Sequence, residues 1–438
     1  MLGRTTRLVL AALVASVQFA RVLAWADDLG AGNNCTVQGP LGEGQDDTDQ
    51  IEAAIARCGH YGTTTINEGV YNITRKMMWE LVEAQVDLHG YLNFTADLPY
   101  WMSPENTYRV VFVQGQASWF VVTGRDFTLD AHNTGGIIGN GQYWWDWYGT
   151  TSRLDGDGRP IAFTLWHVLR GVVRGFRVEG QPFWCNAVAE SQDVLYDGMY
   201  CNATNTNPEY YGQNLVPNTD GIDTFRSDNV TLLNWDITLG DDCLAIKGNS
   251  TNLYAQNVTC RGGNGIAFGS LGQYPNLFDR VENVTLQNIR LLHIDPKIQP
   301  NMGSAVYFKS WSGTTIGHPP DNGGGGLGLV SNVTIRNAEL YNVSLPIHVY
   351  QTNGAHPGDA PSTLQFENLH FYNFTGTSTG STIVDLACSP AVPCRGMTFE
   401  NINVTVNSGA QPQYLCSNVA SQQGLSSTCT SDQRCGRY

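Results

Sequence analysis

NTDGIDTFRSDNVTLLNWDITLGDDC, from Asn218 to Cys243, sets carboxylates on either side of a strand-like run. Asp220 and Asp223 form a first cluster, and Asp241 and Asp242 are adjacent in a second. Between them, Asn229 to Ile237 (NVTLLNWDI) is rich in β-branched and large apolar residues, as a strand is. Asp220 and Asp241 are 21 residues apart, close to one coil of a structure that repeats. A chain returning to the same face once per coil sets the clusters one strand spacing apart, roughly 5 Å. Acids so crowded cannot all ionise freely, and one of them holds its proton to higher pH than a free side chain does. A held proton beside ionised carboxylates is what glycoside hydrolysis requires: an acid for the leaving oxygen and a base for the attacking water. Asp-Gly and Asp-Asp are also ordinary turn residues. Two clusters one coil apart favour chemistry over turns.

Working outward, segments of one style recur: Asn229-Val-Thr-Leu, Asn257-Val-Thr-Cys, Asn283-Val-Thr-Leu and Asn332-Val-Thr-Ile. Their separations are 28, 26 and 49 residues, the last close to two steps. A period near 25 made of short strands and Gly/Asn turns, with no helical pattern, indicates a β-solenoid. The expected fold is all-β: a single-domain right-handed parallel β-helix with three strands per coil. The repeated asparagines are expected to point inward and hydrogen-bond along the stack. Asp46 to Cys58 (DDTDQIEAAIARC) reads as a short amphipathic capping helix at the N-terminal end. The cysteine-bearing tail from Cys416 to Cys435 is placed at the other end.

Residues 1–26 read as an export signal: Arg4 and Arg7, an apolar run from Leu8 to Phe19, then Ala24-Trp25-Ala26. Residues 27–438 then form the mature domain. Twelve Asn-x-Ser/Thr sequons agree with export: Asn34, Asn72, Asn93, Asn202, Asn229, Asn249, Asn257, Asn283, Asn332, Asn342, Asn373 and Asn403. Eleven cysteines fit an oxidising compartment. Proximity in sequence suggests Cys35 with Cys58, Cys243 with Cys260 and Cys388 with Cys394. No CxxC pair or HExxH occurs, so no metal or other cofactor is expected. The formal charge of −15 excludes a broad nucleic-acid surface. The expected protein is a secreted monomer with no membrane partner once the signal is cleaved. Its scarce cations, Lys247, Arg280 and Lys309, would have to offset the field for any polyanionic sugar.

At this point the chain resembles glycoside hydrolase family 28, the polygalacturonases and their relatives. The resemblance rests on Asn218-Thr219-Asp220, Gly240-Asp241-Asp242-Cys243 and the Gly-rich turn Gly262 to Ser270, and it runs from about Gly136 to about Thr405. It implies a metal-free right-handed β-helix that hydrolyses pectic chains with inversion. By position it makes Asp241 the general acid and Asp220 with Asp242 the pair that activates water. Asp241, beside two anions, is expected to be the last to ionise. Asn218 is expected to orient Asp220.

Two departures stand out. Many members have Gly-His-Gly where this chain has Gly263-Asn264-Gly265, and Arg-Ile-Lys where it has Tyr307-Phe308-Lys309. Losing the arginine removes a planar two-pronged carboxylate ligand that lysine does not replace. These changes favour a neutral terminal sugar, α-L-rhamnose, whose methyl could rest on Tyr307 or Phe308. Galacturonate is the alternative, with Arg280 or Lys247 supplying the charge. The long Gly-rich segment from Trp311 to Leu329 is expected to fold over one groove end and enforce exo-action, and Ser270 to Tyr274 (SLGQY) also resembles exo-acting members. Trp144, Trp145, Trp147, Tyr148 and Trp184 are candidates for stacking on sugar rings. His167, His348 and His356 have no assigned partner. A non-catalytic wall-binding β-helix, motivated by the absent histidine, and a calcium-dependent lyase are the rival readings.

Overall fold

The computed structural model describes residues 33–111, 116–150, 158–319, 322–425 and 430–431, so the expected export signal lies outside them. Among the described residues, 27 strands join one parallel sheet, wound as a right-handed β-helix. Around the aspartates the strands are β1 (Ile222–Phe225), β2 (Asp228–Thr238), β3 (Asp242–Ile246), β4 (Ser250–Arg261) and β5 (Gly265–Leu271). They continue as β6 (Asp279–Leu292), β7 (Val306–Trp311), β8 (Gly328–Val343) and β9 (Ile347–Asn353). The short strands β1, β3, β5, β7 and β9 stack as one wall. The long strands β2, β4, β6 and β8 stack as the rest of the coil. β2 pairs with Gln192–Asp197 along its first half and with Tyr200–Asn202 along its second, so each long strand is two strands joined at a corner.

Alternation along the short strands decides what the wall shows. Ile222, Leu244, Ile266, Val306 and Ile347 lie in register, face inward and are buried. Phe268 stacks on Phe308 at 4.3 Å between ring centroids in the next inward column. The residues between them, Asp223, Ala245, Ala267, Tyr307 and His348, therefore share the outer face.

The structure corrects the reading of the repeat. Leu286 pairs directly with Ile335, so the 49 residues between Asn283 and Asn332 are one coil carrying a long insertion, not two coils. Asn229 and Asn257 are not equivalent positions either. Asn257 lies one coil above Asn234, whose side chain accepts its Nδ2 hydrogen bond at 3.0 Å.

Nor do the repeated asparagines point inward. They sit at exposed corners in the left-handed region: Asn234, Asn257, Asn288, Asn337, Asn373 and Asn401 have φ between 55° and 58°. Each Nδ2 donates to the side-chain oxygen one coil below, at 2.9–3.2 Å from Asn257 through Asn401. A second ladder joins Asn252, Asn283 and Asn332. Asparagine suits these corners because it tolerates positive φ at less cost than other side chains and bonds locally. Asn288→Ala should therefore lower stability by about 1–2 kcal/mol, through strain and two lost hydrogen bonds. A urea unfolding midpoint that does not move would contradict the ladder's role.

The helix α1 (Thr48–Cys58) buries Ile51, Ala54 and Ile55 beneath the first coil and is tied to it by Cys35–Cys58. At the other end Gln413–Ser417, Gln422–Gln423 and Thr430–Ser431 continue the parallel stack, so this part of the tail adds strands. The rest of the tail lies outside the described residues. Cys243–Cys260 and Cys388–Cys394 are bonded as expected, and Cys185–Cys201 is a further disulfide. Cys416 is disulfide-bonded too.

Candidate active site

Register brings the carboxylates together. Asp220 precedes β1 by two residues, Asp242 opens β3, and Ile222 pairs with Leu244, which puts Asp220 and Asp242 in line. The Gly221 N–H donates to the Asp242 carbonyl at 3.0 Å, and Asp241 is the next residue back along the chain. One carboxylate oxygen from each of Asp220, Asp241 and Asp242 lies within 4.8 Å of the others. Asp220 and Asp242 are buried, and only Asp241 is partly exposed. Among the described residues this trio is the one grouping of His, Cys, Asp or Glu close enough to hold a cation. The Lys309 ammonium, 3.3 Å from Asp242 Oδ2, already supplies positive charge there.

The partners differ from expectation at Asn218. It orients Asp241, not Asp220: its backbone N–H and Nδ2 approach Asp241 Oδ2 at 3.0 and 3.4 Å. A left-handed φ of 59° at Asn218 accompanies this. Behind it lies Arg159, which the sequence reading missed. This buried guanidinium donates to Asn218 Oδ1 at 3.1 Å and to the Pro182 and Pro217 carbonyls at 3.0 Å each. It also lies over the Tyr148 ring at 4.0 Å. Nothing in sequence joins it to Asn218, 59 residues away.

Asn264 donates Nδ2 to Asp241 Oδ1 at 2.8 Å. It keeps a hydrogen bond to the carboxyl without a titrating ring. The following Gly265 is required, since a Cβ there would lie 1.9 Å from the Ser304 carbonyl oxygen. Asp242 is held from the other side: the Tyr307 hydroxyl donates to Oδ1, and Lys309 lies 3.3 Å from both Oδ2 and that hydroxyl. Lys247 pairs with the buried Asp223 at 3.0 Å and lies over the Trp184 ring at 5.3 Å.

The cluster titrates as a unit. Burial, with Asp223, Asp241 and Asp242 adding to it, pushes Asp220 well above the usual carboxylate range. Burial and then Asp242 push Asp241 up to about 6, against Lys309. Burial also pushes Asp223 up to about 7, with Lys247 opposing. Asp220 lies deeper than Asp241 and its Oδ1 has no hydrogen-bond partner, so burial favours the protonated form of both. Burial works against the Lys309 ammonium, but Asp242, Tyr350 and Asp241 outweigh it and shift Lys309 upward.

The outer face is closed on one side of the trio and open on the other. Towards the N-terminal coils, Val121, Ala187, Ala189 and Phe225 are covered by Ile161, Phe183 and Trp184. Phe183 stacks on Trp184 at 5.0 Å, and Trp184 on Phe225 at 6.0 Å. Towards the C-terminal coils a cavity of about 540 Å³ opens, lined by Asn264, Tyr307, Lys309, His348, Tyr350 and Asn353 among others.

Several expected contacts are not made. Phe308 is wholly buried and cannot meet a sugar, and the Tyr307 hydroxyl is bound to Asp242. Trp144 and Trp145 pack in the core, and Trp184 belongs to the closed wall. The Arg280 guanidinium pairs with Glu282 on β6, away from the short-strand wall. The described part of the Gly-rich insertion does not line the cavity. Gly324 and Gly326 donate to Gln273 and Gly272, which pins it beside the turn after β5. His167 lies 3.2 Å from Glu190 and His356 3.7 Å from Asp359, whereas His348 lines the cavity and is pushed down to about 4 by burial.

Comparison with known proteins gives a consistent picture. A galacturan 1,4-α-galacturonidase A of Aspergillus niger is 39% identical over 416 residues, covering 90% of this chain and 93% of that one. An α-L-rhamnosidase of the same species is 32% identical, covering 88% and 87%. The endo-xylogalacturonan hydrolase structure from Aspergillus tubingensis superposes with a TM-score of 0.73 at 22% identity, over 90% of this chain and 98% of that one, which speaks for the fold alone. The family model described as glycosyl hydrolases family 28 matches residues 81–429, a span that contains the trio and both of its flanks, and the chain belongs to that family of glycoside hydrolases.

Proposed function

We propose that the chain is a secreted, exo-acting, inverting glycoside hydrolase that removes terminal α-linked galacturonate from pectic chains. The observation that carries this is the outer face itself, closed beside the trio on the N-terminal side and open in a cavity of about 540 Å³ on the other. A chain end can enter such a site and a chain middle cannot. The terminal sugar then lies between the trio and the Trp184 wall, and the leaving chain lies over the cavity.

Asp241, the one partly exposed member, protonates the glycosidic oxygen, held by Asn218 and Asn264. Asp242, with the Lys309 ammonium beside it, takes the proton of the attacking water, and Asp220 shares that water across the trio. Lys309 offsets their charge and binds an acidic group of the leaving chain. Asn264 and Tyr307 line the open side with their polar groups bonded to Asp241 and Asp242, so they carry little weight on which sugar is released. That removes the argument for rhamnose from the two departures. The relative at 39% identity, named for galacturonidase action, favours galacturonate over the rhamnosidase at 32%.

The test uses aryl α-D-galacturonide and aryl α-L-rhamnoside side by side. Turnover of the galacturonide at least tenfold faster is expected, and release of rhamnose alone would replace this reading with the rhamnosidase one.

A further inference from the structure

Tyr307 stands where the family resemblance leads one to expect an arginine, and its surroundings suit a different task from binding a carboxylate. On the outer face it follows Ala245 and Ala267 in register, and these small residues leave room for the ring to lie across them. The ring is buried against both, and its hydroxyl reaches Asp242, two coils upstream. Burial and the neighbouring Asp242 and Asp241 push the phenol well above its ordinary range, so it stays a donor across the pH range of a pectic substrate. Lys309 Nζ sits 3.3 Å from the same hydroxyl and 3.3 Å from Asp242 Oδ2. Each Asp242 oxygen thus has its own donor, one neutral and one charged.

We propose that Tyr307 is a positioning residue for Asp242: its hydroxyl fixes the carboxylate rotamer so that the remaining lone pairs face the water shared with Asp220. This rests on the glycoside hydrolase reading above. A carboxylate held only by Lys309 could turn about its Cβ–Cγ bond, and a flexible ammonium sets direction poorly compared with a packed ring. The arrangement also explains why a tyrosine substitutes for an arginine without loss of the trio. It fills the space with a rigid, neutral donor.

Tyr307→Phe keeps the ring and its packing and removes only the hydroxyl. With the aryl glycoside that the wild type cleaves, kcat should fall by about 10- to 100-fold with KM within about twofold. The acid limb of the pH–rate profile should move to higher pH, because the carboxylate loses a donor that favours its ionised form. Calorimetric affinity for the released monosaccharide should stay unchanged. A raised KM and weakened monosaccharide binding with kcat and the acid limb unmoved would make Tyr307 a substrate contact and overturn the proposal. Wild-type kcat in the variant would overturn it too. A wild type that cleaves neither glycoside, by contrast, defeats the functional reading and this assignment with it.

Discussion

Asp241→Asn lowers kcat by about 10²- to 10⁴-fold, the usual worth of a positioned general acid, while the β-helix signature in circular dichroism is retained. The side chain is isosteric, and its one carboxamide oxygen can still accept from either Asn218 N–H or Asn264 Nδ2, which face different oxygens of Asp241. What disappears is the proton. In the wild type, the proton on Asp241 is lost as pH rises through about 6, so kcat should fall about tenfold per unit above that pH. The variant should lack this limb. Stability should move the opposite way to activity. A carboxyl raised in the folded state stabilises below its unfolded value and loses that contribution as pH rises through the folded one. Removing one charge from the trio should therefore raise the melting temperature at pH 8 more than at pH 4. Activity within tenfold of wild type would remove Asp241 from the acid's role.

Lys247→Met should be the most destabilising single change near the site, by about 3–5 kcal/mol above the pH at which Asp223 ionises, because it leaves a buried carboxylate without its cation. Asp223 is fully buried, and Lys247, 3.0 Å away, is its ion-pair partner. Asp220, Asp241 and Asp242 lie nearby with the same sign, and water has no access to compensate. Asp223 already sits at about 7 with the lysine present. Without it the group holds its proton to still higher pH, so the loss of stability grows as pH rises and shrinks towards pH 5. Adding Asp223→Asn should restore about 1–3 kcal/mol, the coupling expected of contacting charges. If the double variant were no more stable than Lys247→Met alone, lost packing under Trp184 and Phe225 would explain the effect instead of lost charge.

The trio was legible because its spacing is one coil and its residue types have few other reasons to recur together. Cys243–Cys260 was legible from proximity alone: its 17-residue separation is shorter than one coil, and it bridges the consecutive strands β3 and β4. What stayed hidden depends on direction, which a repeat does not encode. The corner asparagines look like interior rungs until their positive φ turns them outward. The segment carrying Phe183 and Trp184 is as apolar as core, yet it packs on the outer face and closes the groove, a task the sequence reading gave to the glycines between Trp311 and Leu329. Arg159 could not be read at all, since its partners Pro182, Pro217 and Asn218 come together only when the wall folds over the coil. The choice between rhamnose and galacturonate was hidden for a related reason. The departures at Asn264 and Tyr307 were real, but which side of the trio they face is a property of the fold.

The most direct test follows the products formed from an oligogalacturonate labelled at its reducing end. Free galacturonic acid is expected from the first minutes, with labelled products that shorten by one unit at a time. Labelled fragments of mixed length at early times, or no cleavage of the oligogalacturonate, would contradict it.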